Sequence, residues 1–251
     1  MLISNYQNTK HGKKVKFTSN IEFTASQVIK NELRRGVHVS LYDDFTVDAA
    51  KRALKIGTTG VYDCIAGGIT GGNTNNNLVF HLMPSGFFDN LRKNLAELEQ
   101  KFKETVSLSK QEHKTPQGLI FGGYIGDDSD CKQSKDLCVI LKHFFDKFKI
   151  DCSVFWGSPY KQGTLCHQKN IYYDGKTDTW LVNLLKLDKN GKKDVLSKQQ
   201  IIDAFSQISI SPQDKVKFPD TDWISGRDAD FNKDNLDLIK KDVLKKYRIE
   251  D

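Results

Sequence analysis

The sequence has no apolar run of about 18 residues or more, so it offers no candidate membrane-spanning helix. Its first residues, MLISNYQNTKHGKK, lack the basic-then-apolar order of a secretory signal. Five cysteines, at 64, 131, 138, 152 and 166, are an odd number and contain no CxxC pair. That pattern argues against a disulfide scaffold and against a zinc knuckle. The expected setting is a reducing cytosol, either where the protein is made or where it ends up. No P-loop Lys-Ser/Thr follows the Gly122-Gly123 pair, which therefore reads as close strand packing. There is no internal repeat and no low-complexity tract beyond an Asn-rich loop. Charge of one sign is also scarce: 38 basic against 32 acidic residues leave +6, too diffuse to predict nucleic-acid binding. The clusters His11 to Lys14, Arg34-Arg35 and Lys240 to Lys246 read as solvated surface.

What is present is an ordinary globular chain of 251 residues, one large domain or one domain with additions. Ala25 to Glu32 predicts a short helix ended by Gly36, and Val37 to Leu41 alternates as a half-buried strand. Residues 61–66 and 78–83 are short apolar runs joined by GGITGGNTNNN, a turn-forming segment compatible with antiparallel neighbours. Leu91, Leu95, Leu98, Phe102 and Val106 form the apolar stripe of an amphipathic helix, and Leu137, Leu141, Phe144, Phe145 and Phe148 form a second. Strands are predicted at 152–156, 170–173 and 180–187, with a turn at Asn190-Gly191. Beyond residue 198 the pattern predicts a short helix over Ile201 to Ile208, a loop with Pro212 and Pro219, and a charged helix over Asn232 to Tyr247. The fold class is mixed α/β, with sandwich-like layered sheets flanked by helices.

Residues 57–68, GTTGVYDCIAGG, place Cys64 among glycines and small residues. Downstream, NNNLVFHLMP ends an apolar run with His81. A thiol nucleophile must lose its proton, which an imidazole within reach can take, and the ring must be oriented by a third group such as a threonine hydroxyl. The residues alone fit two readings: a packed cysteine with a satisfied core histidine, or a Cys-His catalytic pair.

The order Thr58, Cys64 six residues later, and His81 seventeen further, followed by Leu82-Met83-Pro84, resembles the chemoreceptor glutamine deamidase family CheD. LIFGGYIG at 119–126 is similar to that family's FGG segment, a helix follows, and GSPYKQGTLCHQKNIYYDGKTDTW at 157–180 resembles its later Gly-rich strand pair. The likeness covers roughly residues 50–185. It implies a CheD-like deamidase fold with an N-terminal extension at 1–50, a core at 51–198 and a C-terminal helical extension at 199–251. The same scaffold resembles the catalytic domains of toxins such as cytotoxic necrotizing factor, which deamidate glutamine in host regulatory proteins. Asp63 departs from the family's small residue; an anion there would raise the thiol pKa or help to bind a polar substrate.

The resemblance implies a cysteine hydrolase in which Cys64 attacks a glutamine carboxamide, His81 moves the proton and Thr58 orients the ring. No metal or organic cofactor is required. The expected partner is a protein presenting an exposed glutamine, with no nucleic acid and no membrane insertion; the oligomeric state is open. The expected location is the cytoplasm, or a host cytosol for an effector, to which the terminal extensions lean. The alternatives are a chemotaxis receptor deamidase, a transglutaminase or cysteine peptidase, and a non-catalytic binding module. Cys166-His167, adjacent on a strand, point to opposite faces and read as packing or surface. His38, Cys138, Trp156 and Trp180 read as strand, helix and core residues, and the acidic run 127–130 as a solvated turn.

Overall fold

The computed structural model describes residues 20–24, 26–39, 51–71, 73–123, 129–156, 167–187, 193–195, 206–209, 215–217 and 236–250. These residues form a mixed α/β structure with five helices and two mixed sheets.

The first sheet has β1 (Asn20–Phe23), β2 (Val37–His38), β4 (Lys55–Val61), β9 (His167–Asp174), β10 (Thr179–Leu187), β11 (Lys193–Val195) and β13 (Lys215–Lys217). Its order is β13-β1-β10-β9-β4-β2, with β11 also on β10. The second sheet has β3 (Lys51–Arg52), β5 (Ile65–Thr70), β6 (Leu78–Leu82), β7 (Gln117–Gly122), β8 (Asp151–Trp156) and β12 (Ser206–Ser209). Its order is β12-β8-β7-β5-β6-β3. The helices are α1 (Ser26–Leu33), α2 (Pro84–Asp89), α3 (Leu91–Gln111), α4 (Ser129–Lys147) and α5 (Leu236–Tyr247).

Strand alternation sorts the side chains into two cores. Along β5 and β6, Ile65, Ile69, Leu78, Phe80 and Leu82 point toward the helices and join Leu98, Phe102, Leu137, Leu141 and Phe145. The opposite parity, Ala66 and Val79 with Leu119, Phe121 and Phe155, meets Ile56, Ile171, Tyr173, Trp180 and Val182 of the first sheet. The sheets therefore pack face to face through one apolar layer, and α2 to α5 cover the far side of the second sheet. On the far side of the first sheet α1 lies against β4, β9 and β10, with Ile29 fully buried. Both amphipathic stripes predicted from periodicity face this core, and α5 docks on it through Val243, Ile239 and Tyr247.

Three expectations differ from the structure. Residues 206–208 are strand, not helix, because their backbone pairs with β8. The segment beyond 198 accordingly contributes β12 and β13 to the sheets as well as a helix, and β1 from the first fifty residues lies between β10 and β13. The glycine-rich run after Cys64 is strand as far as Thr70, and the turn comes only afterwards. Gly67 and Gly68 are there for close approach: a Cβ on Gly67 would sit 2.2 Å from the Leu119 carbonyl oxygen, and one on Gly68 2.1 Å from that of Leu78. The expected features at residues 1–19, 40–50, Asp127-Asp128, Asn190-Gly191, Cys166, Ile201 to Phe205, Pro212, Pro219 and Asn232 to Asn235 lie outside the described residues. No helix among the described residues is long and apolar enough to cross a membrane.

Candidate active site

β5 and β6 pair antiparallel with Ala66 opposite His81. Cys64 precedes Ala66 by two residues, at the end of a bend over residues 62–64 that leads into β5. Cys64 shares the inter-sheet layer with Ala66 and Val79, and His81 follows Val79 by two on β6. The thiol and the imidazole thus belong to the same face of neighbouring chain segments.

Thr58 comes from the other sheet. A bulge interrupts the pairing of β4 with β9: Thr58 sits opposite Ile171 and Val61 opposite Lys169, so three steps on β4 match two on β9. Gly60 takes the left-handed φ of 79° that this extra residue requires, and its amide donates to Asn170 Oδ1 at 3.2 Å. The bulge turns both Thr58 and Val61 inward, whereas strict alternation would send one of them outward. From that position Thr58 Oγ1 lies 2.8 Å from His81 Nδ1. When Nδ1–H donates to the hydroxyl, Nε2 carries the lone pair of a general base. Nε2 is buried and has no hydrogen-bond partner among the described residues.

The structure therefore joins two of the three predicted residues, Thr58 and His81, and holds the third on their face without a bond to the ring. The Cys64 thiol donates to Asp63 Oδ1 at 3.7 Å. All three are enclosed, with exposures of 0% for Thr58, 4% for Cys64 and 2% for His81. Burial pushes the thiol up to about 12, helped by the charge of Asp63 and its hydrogen bond, and opposed by Lys169 and a backbone hydrogen bond from Tyr62. Burial also holds the His81 imidazole down to about 4, with the charge of His38 adding to the effect. These shifts favour a neutral thiol and a neutral imidazole over an ion pair. The expected influence of Asp63 on the thiol is present, second to burial.

The bend carrying the thiol is tied from three directions through its carbonyls. Lys169 Nζ of β9 donates to the Tyr62 oxygen at 2.6 Å. Ser134 Oγ of α4 donates to the Asp63 oxygen at 2.9 Å, and the Gly123 amide after β7 to the Cys64 oxygen at 3.0 Å. Gly123 has φ +71, and a Cβ there would lie 2.1 Å from the Trp156 ring, so only glycine brings this amide to Cys64. Sequence reasoning did not single out Lys169 or Ser134. The signal for Lys169 was its parity: it shares the inward parity of Ile171 and Tyr173 on β9. Ser134 had no local signal, because its partner is 71 residues away in sequence.

The other residues fall in bland places. His38 is exposed on β2, with Nε2 3.2 Å from Thr59 Oγ1. Trp156, Trp180 and Cys138 are core residues. Among the described residues no group of three or more His, Cys, Asp or Glu side chains forms a metal-binding cluster. Compared with known proteins, the chain matches no protein-family model and no curated protein.

Proposed function

We propose that the protein is a protein-glutamine deamidase of the CheD-like kind, with Cys64 as nucleophile, His81 as proton carrier and Thr58 as the group that orients it. The observation that carries this reading is the Thr58 to His81 Nδ1 hydrogen bond of 2.8 Å, with Nε2 left without a partner among the described residues in the layer that also holds Cys64. A buried imidazole nitrogen without a partner costs stability, and a proton-accepting role accounts for it.

In the mechanism the thiol leaves the Asp63 carboxylate and turns to Nε2, which takes its proton. The thiolate attacks the carboxamide carbon of a substrate glutamine. The tetrahedral oxyanion is held by backbone amides near Cys64; one such donor is typically worth about 3 kcal/mol. The imidazolium returns the proton to the departing nitrogen, ammonia leaves and a thioester remains. Water, deprotonated by Nε2, cleaves the thioester to glutamate and restores the thiol. One neutral amide becomes a carboxylate, which alters the electrostatics of the target at a single residue. Turnover requires the enclosed site to open far enough to admit a glutamine side chain. The preferred setting is an effector acting on a regulatory protein in a host cytosol, by analogy with the toxin domains on the same scaffold.

A second reading, a non-catalytic module on this scaffold, is favoured by the burial of Cys64 and by its bond to Asp63 instead of His81. One experiment separates them. Proteomes incubated with wild type and with Cys64→Ser are compared by mass spectrometry for glutamines gaining about one dalton. The deamidase reading expects such sites with wild type alone. Sites that persist with Cys64→Ser reject the mechanism, and no sites with either favour the module. Cross-linked or cleaved products would indicate a transglutaminase or a peptidase.

A further inference from the structure

Lys169 is the one lysine among the largest fully buried side chains of the described residues, at 0% exposure. Taking an ammonium group out of water is expensive, so a chain keeps one inside only where something offsets the cost. The surroundings are those of the Cys64 site: Val61 lies opposite Lys169 across β4 and β9, and Nζ donates at 2.6 Å to the carbonyl of Tyr62, two residues before the thiol. The other two carbonyls of that bend are held by Ser134 and Gly123, which bring no charge.

We infer that Lys169 is a positioning residue of the Cys64 site, which pins the bend over 62–64 from the opposite sheet and sets a positive charge against the sulfur. The charge acts on the thiolate and opposes Asp63, the negative group on the bend itself. Among the described residues, the charged side chains that act on the thiol are these two, and the charge of His38 on β2 acts on His81. As long as Asp63 holds the thiol proton the sulfur stays neutral. Once His81 takes that proton, the imidazolium pairs with the sulfur anion and Lys169 offsets the negative charge of Asp63 beside it, in a medium where an unbalanced charge is costly. This deepens the deamidase reading and rests on it for its catalytic consequence alone.

The test needs no substrate. Full-length protein is treated with iodoacetamide at several fixed pH values between about 7 and about 9, and Cys64 modification is followed by peptide mass mapping. Lys169→Met should slow Cys64 alkylation about tenfold at each pH, because loss of the cation leaves less thiolate. Lys169→Arg, which keeps the charge, should react at the wild-type rate. Ser134→Ala, which loosens the same bend without touching charge, should not slow the reaction. An unchanged rate in Lys169→Met, or an equal slowing in Ser134→Ala, overturns the inference. If Lys169→Met does not fold, Lys169→Arg decides: a rate about tenfold below wild type despite the retained charge overturns it, and a wild-type rate supports it. A slowing in Lys169→Met from a wild type that deamidates nothing would reject the deamidase reading and keep this one.

Discussion

Thr58 and His81 belong to different sheets, and the 2.8 Å hydrogen bond between them crosses the apolar layer that joins those sheets. A polar link in that setting is strong because no water competes for either partner, and it is costly to break because each partner is then stranded. It also fixes which ring nitrogen of His81 faces the remaining space, and so gives a buried histidine a definite chemical direction.

Thr58→Val keeps the shape of the side chain and removes the hydroxyl, leaving His81 Nδ1 buried and unpaired. The expected loss of stability is about 1–3 kcal/mol, read from urea denaturation. Under the deamidase reading Thr58→Ala lowers turnover less than His81→Ala, since it misorients the base without removing it. The reverse ranking counts against an orienting role.

The His81 imidazole is lowered from 6.5 to about 4, chiefly by burial and then by His38. Between those values the unfolded chain binds the proton and the folded one does not. Stability is therefore complete above about pH 6.5 and is lost as pH falls toward 4, by an amount on the order of 3 kcal/mol. His81→Gln should flatten this acid limb in urea midpoints measured against pH. The Cys64 thiol acts at the other end: it is raised from 9.0 to about 12, so its contribution is complete below pH 9 and is lost as pH rises toward 12.

Asp63→Asn removes both the charge and the hydrogen bond that hold the thiol protonated. Cys64 should then react with iodoacetamide several-fold faster at neutral pH, as peptide mapping would record. A rate equal to wild type would mean that burial alone governs this sulfur.

Gly123→Ala forces a Cβ into the Trp156 ring and strains a residue at φ +71. Strain and overpacking together should cost about 2–4 kcal/mol in denaturant unfolding. Because the Gly123 amide holds the Cys64 carbonyl, the variant should also change the Cys64 alkylation rate, whereas an equally destabilising change in the helical core, such as Leu98→Ala, should not.

The elements legible in the sequence were those whose side chains repeat with a regular period. The stripe from Leu91 to Val106 and that from Leu137 to Phe148 lie where a 3.6-residue period puts them, because burying one face is enough to specify a helix. The runs that became β8, β9 and β10 were equally clear, as was the mixed α/β class. Residues 206–208 were misread because a four-residue strand owes its state to pairing with β8, and local propensity carries no record of that partner. Thr58, Cys64 and His81 could be nominated from their types and order. That Thr58 meets His81 while Cys64 meets Asp63 could not, since it depends on the Gly60 bulge, on the register of Ala66 with His81, and on two sheets closing over one layer. Periodicity and composition are properties of the chain taken locally, and they determined the elements and the candidates. The ionisation of the thiol, the direction of the imidazole and the burial of Lys169 were decided only by tertiary structure, because burial and the placing of charges arise when segments far apart in sequence exclude water together.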